Sequence, residues 1–379
     1  MKKILITANV SKEHIRKFHI PFILRLKELG WQVDVACRMD EPVPECDTAY
    51  DLPCDRNPFR GGILRSVRQL RKIIRQGGYK TVICNTVTGS MITRLAAKPL
   101  RKTGVRVIYL NHGLHFFPGA SPLRWLSGYP MEKLLAPHTD VMITINATDC
   151  QTAKKYLGIP AMEQIHGIGV NLHRFKDCVL TDQERVELRQ SLGLAPDDFV
   201  LTYVAEIIEN KNQPMLLNAL EIVRKQLPNT KLLLVGPEHD NGKLRRLATQ
   251  KGLQEAVIFL GWRNDVPRLL RASDLYVASS KSEGLGLNLI EAMACELPVV
   301  AGRNRGHEEI ISHGENGYLI PMNDHEQMAE LILRLQEDRE LADRLVAKAL
   351  QDIRRYEVEN VLDSLVDILR RYAHEEQTI

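Results

Sequence analysis

The chain has 379 residues, more than one compact core usually holds, so two domains of ordinary size are expected. Hydrophobic residues make up 44% and charged residues 26%, a balance that excludes a disordered chain and fits a soluble globular one. No apolar run approaches the roughly 20 residues that span a bilayer, and the net charge of +4 conceals a division, +13 over residues 1–175 and −9 over residues 176–379.

The opening, MKKILITANVSKEH, has two lysines and a short apolar run. That run falls below the ~7–15 residues of a signal-peptide core and no small-residue cleavage site follows. It reads as a buried strand, Lys3–Ala8, of a chain that stays in the cytoplasm. Further β-branched runs at Gln32–Cys37, Thr81–Asn85, Val105–Asn111 and Val141–Ile145 alternate with amphipathic stretches at His14–Leu29, Ile63–Arg75 and Ser90–Arg101. Such alternation predicts a parallel sheet with helices on both faces. The loop Asn9–Glu13 after the first strand has no GxGxxG, which counts against a nicotinamide-dependent dehydrogenase.

Residues 56–80 carry eight basic residues and no acidic one. Within them Leu64, Val67, Leu70, Ile73 and Ile74 form an apolar stripe flanked by Arg65, Arg68, Arg71, Lys72 and Arg75. That pattern predicts a helix lying on the anionic inner face of the membrane. A packed helix with a solvated basic back is the plainer alternative. Asn111-His112-Gly113-Leu114-His115-Phe116-Phe117 then closes the fourth predicted strand, where a His can face a ligand or be a satisfied structural group.

The pattern becomes irregular over Ile168–Asp177 and the alternation then restarts. Strands are expected at Phe199–Val204, Lys231–Val235, Val257–Leu260, Leu275–Ala278, Pro298–Val300 and Gly317–Ile320. Helices are expected at Gln213–Leu227, Gly242–Gly252, Val266–Ala272 and Leu287–Cys295, and helices alone follow Asp324, ending with Val358–Tyr372. The domains are therefore set at 1–175 and 176–355, with 356–379 as a final helical segment. Seven scattered cysteines form no CxxC or Cys/His set, as a reducing compartment tolerates. No DxD or metal-ligand cluster stands out in a strand-end loop, so neither metal nor cofactor is expected.

Two motifs of the second half carry chemistry. In Ser279–Met293, Glu283 precedes a helix and Glu291 lies just over one turn inside it, while Gly284 and Gly286 let the backbone approach a ligand. Two such carboxylates suit sugar diols, although a capping and a solvated Glu would read alike. In Val204–Gln213, Lys211 stands at the opening of a helix, where an ammonium can hold a diphosphate.

Ser279–Met293 resembles the E-x7-E signature of the family 4 retaining glycosyltransferases, and Phe259–Val266, Glu291–Val300 and Asn316–Leu319 resemble its surroundings. The resemblance spans nearly all of the second half. It implies the GT-B fold, an α/β architecture of two Rossmann-like doubly wound domains facing across a cleft, with the last helix returning to the first domain. It implies that Glu283 contacts the transferred sugar, Glu291 binds the nucleotide ribose and Lys211 neutralises the leaving diphosphate. Arg263, Gly284, Leu285, Gly286 and Leu287 complete the donor-binding set, and Glu206 stands where the family usually has Arg. Phe18–Phe22 and Asn111–Phe117 resemble the FHxP and HGxHF elements of a polysaccharide-forming branch. There a His contacts the donor sugar, which favours His112 over His115. The expected reaction moves a hexose or N-acetylhexosamine from a UDP-sugar to a polyprenyl-diphosphate-linked saccharide. The setting would be capsule, exopolysaccharide or O-antigen assembly, peripheral on the cell membrane, with no nucleic-acid partner. The rivals are an epimerase or phosphorylase of the same architecture and a non-catalytic subunit of a transferase complex.

Overall fold

The structure is a computed structural model describing residues 2–54 and 62–373. Positions 56–61 of the basic segment and 374–379 of the final segment lie outside the described residues. The chain forms two compact units, Met1–Gly169 with Val358–Ile379, and Val170–Glu357.

The first unit runs β1 (Lys3–Val10), α1 (Ile20–Glu28), β2 (Gln32–Arg38), β3 (Thr48–Asp51), α2 (Ile63–Gln76), β4 (Thr81–Cys84), α3 (Val87–Ala97), β5 (Arg106–Asn111), α4 (Pro122–Leu135), β6 (Val141–Thr144), α5 (Ala147–Tyr156) and β7 (Ala161–Gln164). Its sheet has the order β3-β2-β1-β4-β5-β6-β7. The second runs α6 (His173–Lys176), α7 (Asp182–Ser191), β8 (Phe199–Val204), α8 (Gln213–Gln226), β9 (Thr230–Val235), α9 (Lys243–Gln250), β10 (Val257–Gly261), α10 (Val266–Arg271), β11 (Leu275–Ala278), α11 (Leu287–Ala294), β12 (Val299–Gly302), α12 (Arg305–Glu308), β13 (Tyr318–Ile320), α13 (His325–Glu337) and α14 (Arg339–Asp352). Its order is β10-β9-β8-β11-β12-β13. A last helix, α15 (Val358–Tyr372), belongs to the first unit.

Pairing is parallel throughout both sheets. Every residue of β4, β6, β11 and β12 is buried, as strands covered by helices on both faces require. Strand order reverses between β1 and β4 in one unit and between β8 and β11 in the other. Beyond the carboxyl ends of those pairs lies the ligand crevice of a doubly wound sheet.

Three departures from the sequence expectation have physical causes. The edge strands β3 and β7 are four residues each, too short for a periodicity to show. The single helix expected over His14–Leu29 is a π-helical stretch, Ser11–His19, followed by α1. Pro21 has no N–H for a carbonyl one turn back, and the winding changes just before it. The division between units falls after Gly169, not after 175, because residues 170–177 pack with the second unit. There Val170 N donates to Tyr356 O at 2.8 Å, and Arg174 Nη2 to Asn264 O at 3.1 Å.

The returning helix α15 buries Val361, Leu362, Leu365, Val366, Ile368 and Leu369. Arg25 of α1 holds it through Glu359 at 2.5 Å and Asp363 at 3.2 Å, and Tyr372 Oη donates to Glu163 at 2.8 Å. Helix α2 packs most of its apolar stripe inside the protein, with Val67, Leu70 and Ile74 in the core and Leu64 exposed. Arg71 also turns inward, donating to the carbonyls of Leu95 and Ala96 at the end of α3. Arg65, Arg68, Lys72 and Arg75 remain as an exposed basic face.

Candidate functional site

In the second unit the chain leaves β8 through a loop and one 3-10 turn, Glu209–Lys211, and enters α8 after Asn212 in the left-handed region (φ 55°). This loop is laced to the one after β11. Lys281 N donates to Asn210 O at 2.8 Å, Asn210 Nδ2 to Ser282 O at 3.0 Å, and Ser279 Oγ to Lys211 O at 2.7 Å. The lacing sets Lys211 Nζ 2.5 Å from Glu283 Oε1, with both side chains largely buried. A cation and an anion from the two strands flanking the switch point are thus joined where the crevice is expected.

Glu283 is seated by α12. Arg305 Nε donates to its carbonyl at 3.2 Å. Gly306 passes so close that a Cβ there would meet Glu283 Cβ at 2.7 Å. Asn304 caps α12 by accepting from Gly306 N and His307 N, and its Nδ2 donates to Ser280 O at 2.9 Å. His307 is buried with Nδ1 2.6 Å from Gly302 O, while its Nε2 has no partner among the described residues. Burial lowers the pKa of this ring, although the Glu283 charge pulls the other way.

Glu291 lies on α11, whose start is pinned by Asn288 Nδ2 donating to Val204 O at 3.0 Å. Burial pushes its carboxyl up to about 7 against the opposing charge of Arg174. Such a carboxylate is poised to accept hydrogen bonds from a ligand that excludes water. Gly284, Leu285, Gly286 and Leu287 form the turn from β11 into α11, with Leu285 buried. Gly286 is at φ −85°, so it supplies space rather than a left-handed turn: a Cβ would meet His307 and Leu289 at 3.0 Å.

Two other predicted donor residues have local partners of their own. Glu206 is exposed on the loop after β8, and its carbonyl accepts from Gln213 Nε2 at 2.8 Å. Arg263 follows the edge strand β10 and is engaged in a bidentate pair with Asp265, at 2.7 and 2.6 Å.

In the first unit His112 follows β5, and Gly113 after it takes φ +146°. Its ring stands edge-on to His14 at 4.7 Å and to His19 at 5.4 Å between centroids. Burial holds its pKa down to about 4, and its Nε2 is buried without a partner among the described residues. His115 is exposed and lines a separate cavity of about 400 Å³ with Asn111, Phe116, Gly128, Met131 and Glu132. Sequence reasoning passed over His14, Asn304 and His307. His307 stands beside Gly306 but seven residues past the predicted strand Pro298–Val300, so no signal like that of His112 marked it.

Comparison with known proteins accords with this fold. Residues 184–352 match the model for glycosyl transferases group 1, and residues 22–173 match that for glycosyltransferase family 4. The chain is 38% identical to EpsD of Bacillus subtilis (strain 168), a glycosyltransferase by name, over 98% of this chain and 97% of EpsD. It is 26% identical to the Escherichia coli UDP-Gal:alpha-D-GlcNAc-diphosphoundecaprenol alpha-1,3-galactosyltransferase, over 73% of this chain and 72% of that one. Among solved structures it is similar to Anabaena Alr3699/HepE in complex with UDP, with a TM-score of 0.81 at 21% identity over 98% of this chain and 100% of that one.

Proposed function

We propose that this chain, which belongs to the family 4 glycosyltransferases and has their GT-B fold, moves a hexose or N-acetylhexosamine from a UDP-sugar with retention of configuration. The observation that carries the reading is the Lys211–Glu283 pair at the switch point of the second unit, with Glu291 on the adjoining helix. A nucleotide sugar has three parts that need different partners. Its diphosphate needs a cation, its ribose an acceptor for a diol, and its sugar a second acceptor near the bond that breaks. Lys211, Glu291 and Glu283 are of the kinds that could supply these, and the cation–anion contact supports setting Lys211 at the diphosphate and Glu283 at the sugar.

On this reading the acceptor hydroxyl attacks the anomeric carbon on the face the diphosphate leaves, and the departing diphosphate takes the proton. Lys211 offsets the charge growing on that diphosphate without a metal ion. Glu283 orients the sugar, and the resemblance assigns His112 to one of its hydroxyls. UDP is favoured over other nucleotides because the Escherichia coli relative is named for UDP-Gal and HepE was solved with UDP.

The acceptor is proposed to be a polyprenyl-diphosphate-linked saccharide for a cell-surface polysaccharide, by analogy with the diphosphoundecaprenol acceptor in that relative's name. No helix among the described residues is long and apolar enough to cross a membrane. Surface docking is favoured by the exposed basic face of α2 and by Leu123, Leu126 and Leu134 of α4, each about three-quarters exposed. The test is a thermal-shift screen of UDP, GDP and ADP, followed by NMR of the product's anomeric carbon from the matching donor. Stabilisation by UDP alone and an unchanged anomer are expected. Preferential stabilisation by GDP or ADP, or an inverted product, would refute the reading.

A further inference from the structure

We infer that His14, His19 and His112 of the first unit form a binding site for a borderline transition-metal ion such as zinc. Their ligating nitrogens all lie within 4.8 Å of one another. They arrive from two directions. His14 and His19 stand five residues apart on the π-helical stretch after β1, where the wider winding brings i beside i+5, and His112 follows β5. An α-helical continuation through the same residues would have set the two rings on diverging bearings.

One distance is already near coordination length: His14 Nε2 and His19 Nε2 are 3.1 Å apart, and His112 stands within 4.8 Å of them. Two imidazole nitrogens at Zn–N lengths of about 2.0–2.1 Å in tetrahedral geometry lie about 3.3–3.4 Å from each other. That pair needs a few tenths of an ångström to open. The His112 ring is nearly perpendicular to both, at 81° and 86°, so the three rings are splayed about a common region, not stacked. A separate observation points the same way. The Nε2 of His112 is buried with no hydrogen-bond partner among the described residues, and an orphaned buried nitrogen calls for a ligand.

The donor set selects the ion. Three imidazoles without carboxylate or thiolate favour zinc, cobalt, nickel or copper over magnesium, calcium or manganese. Three protein ligands leave a fourth position to water or to an incoming group. The ion would tie the π-helical stretch to the end of β5 and occupy the nitrogen of His112. Inhibition of sugar transfer by that occupancy rests on the role proposed for His112; the binding itself does not. Nor does it alter the metal-free account of the diphosphate, which belongs to Lys211 in the other unit.

Calorimetric titration of the chelator-treated full chain with zinc should give one ion per chain at a Kd of about 1 µM or tighter. Cobalt should give the intense visible bands of a four-coordinate ion, while magnesium and manganese give neither heat nor colour. His19→Gln and His112→Ala should each weaken zinc at least tenfold while UDP binding to the second unit is kept. Exposed histidines supply the controls: His115→Ala and His173→Ala should leave zinc affinity unchanged. X-ray absorption of the zinc-loaded wild type, counting imidazole ligands, decides the matter if a variant misfolds. Zinc held equally well by the wild type and by His19→Gln, or lost in His173→Ala, would overturn the assignment, as would fewer than three imidazoles around the ion.

Discussion

Replacing Glu291 by Gln separates the two things that carboxylate does. Burial raises it from an ordinary 4.5 to about 7. The folded protein therefore holds the proton more tightly than the unfolded chain, and ionising the group works against folding. The penalty is absent below about pH 4.5, grows as pH rises to about 7 and is constant above. At about 1.4 kcal/mol per pH unit the shift converts to about 3 kcal/mol, and solvent reaching the partly exposed group lowers that to about 1–2 kcal/mol. Glu291→Gln, nearly the same shape without the charge, should therefore raise the Tm of the ligand-free protein at pH 8.5 by about 2–8 °C. The gain should vanish at pH 4.5. UDP binding should move the other way, weakening by about 1.5–3 kcal/mol as a ribose diol loses its charged acceptor. Wild-type affinity should itself fall as pH drops through 7, and the variant's should not. Thermal unfolding at both pH values, with calorimetry of UDP, reads all of this. A stability gain equal at pH 4.5 and 8.5 would refute the buried-charge argument, and unchanged UDP affinity would remove Glu291 from the ribose.

Lys211→Ala and Glu283→Ala should each lower kcat by at least 100-fold and lower Tm modestly, since each strands a partly buried charge; the double variant should recover Tm but not turnover. Gly306→Ala should push Glu283 from its seat, because the new Cβ falls 2.7 Å from Glu283 Cβ, and a loss of kcat with UDP affinity kept would show it. Changing Arg65, Arg68, Lys72 and Arg75 to Gln removes four exposed charges worth about 1 kcal/mol each at an anionic leaflet. Vesicle co-sedimentation should fall sharply, more so when Leu123, Leu126 and Leu134 become Ser, and unchanged sedimentation would dismiss the docking face.

The alternation of apolar runs carried the fold because parallel strands buried on both faces have few polar positions to blur the signal, as in β4, β6 and β12. The edge strand β7, Ala161-Met162-Glu163-Gln164, has no such contrast. The pairing of Lys211 with Glu283 spans 72 positions and follows only from the sheet order that sets β8 beside β11, which no local pattern states. The motif resemblance supplied both residues but not their contact. The packing of α2 was not legible for a related reason: a stripe of Val67, Leu70 and Ile74 is the same whether lipid or α3 lies against it, and only the tertiary fold distinguishes them. The histidines after β1 converge through a π-helical winding that helical periodicity does not anticipate.

The placement of α15 has a consequence for synthesis on the ribosome. The first unit is interrupted at Gly169 and completed only by Val358 onward, whereas the second, Val170–Glu357, is continuous in the chain. At about 5–20 residues per second, translation of that insert takes roughly ten to forty seconds. Throughout that interval α1 and its neighbours lack the Val361, Leu365 and Leu369 surface that later covers them. The segment made first is therefore the last to reach its final form. The nascent chain must keep an apolar seam from other chains until Val358–Tyr372 emerges to close it.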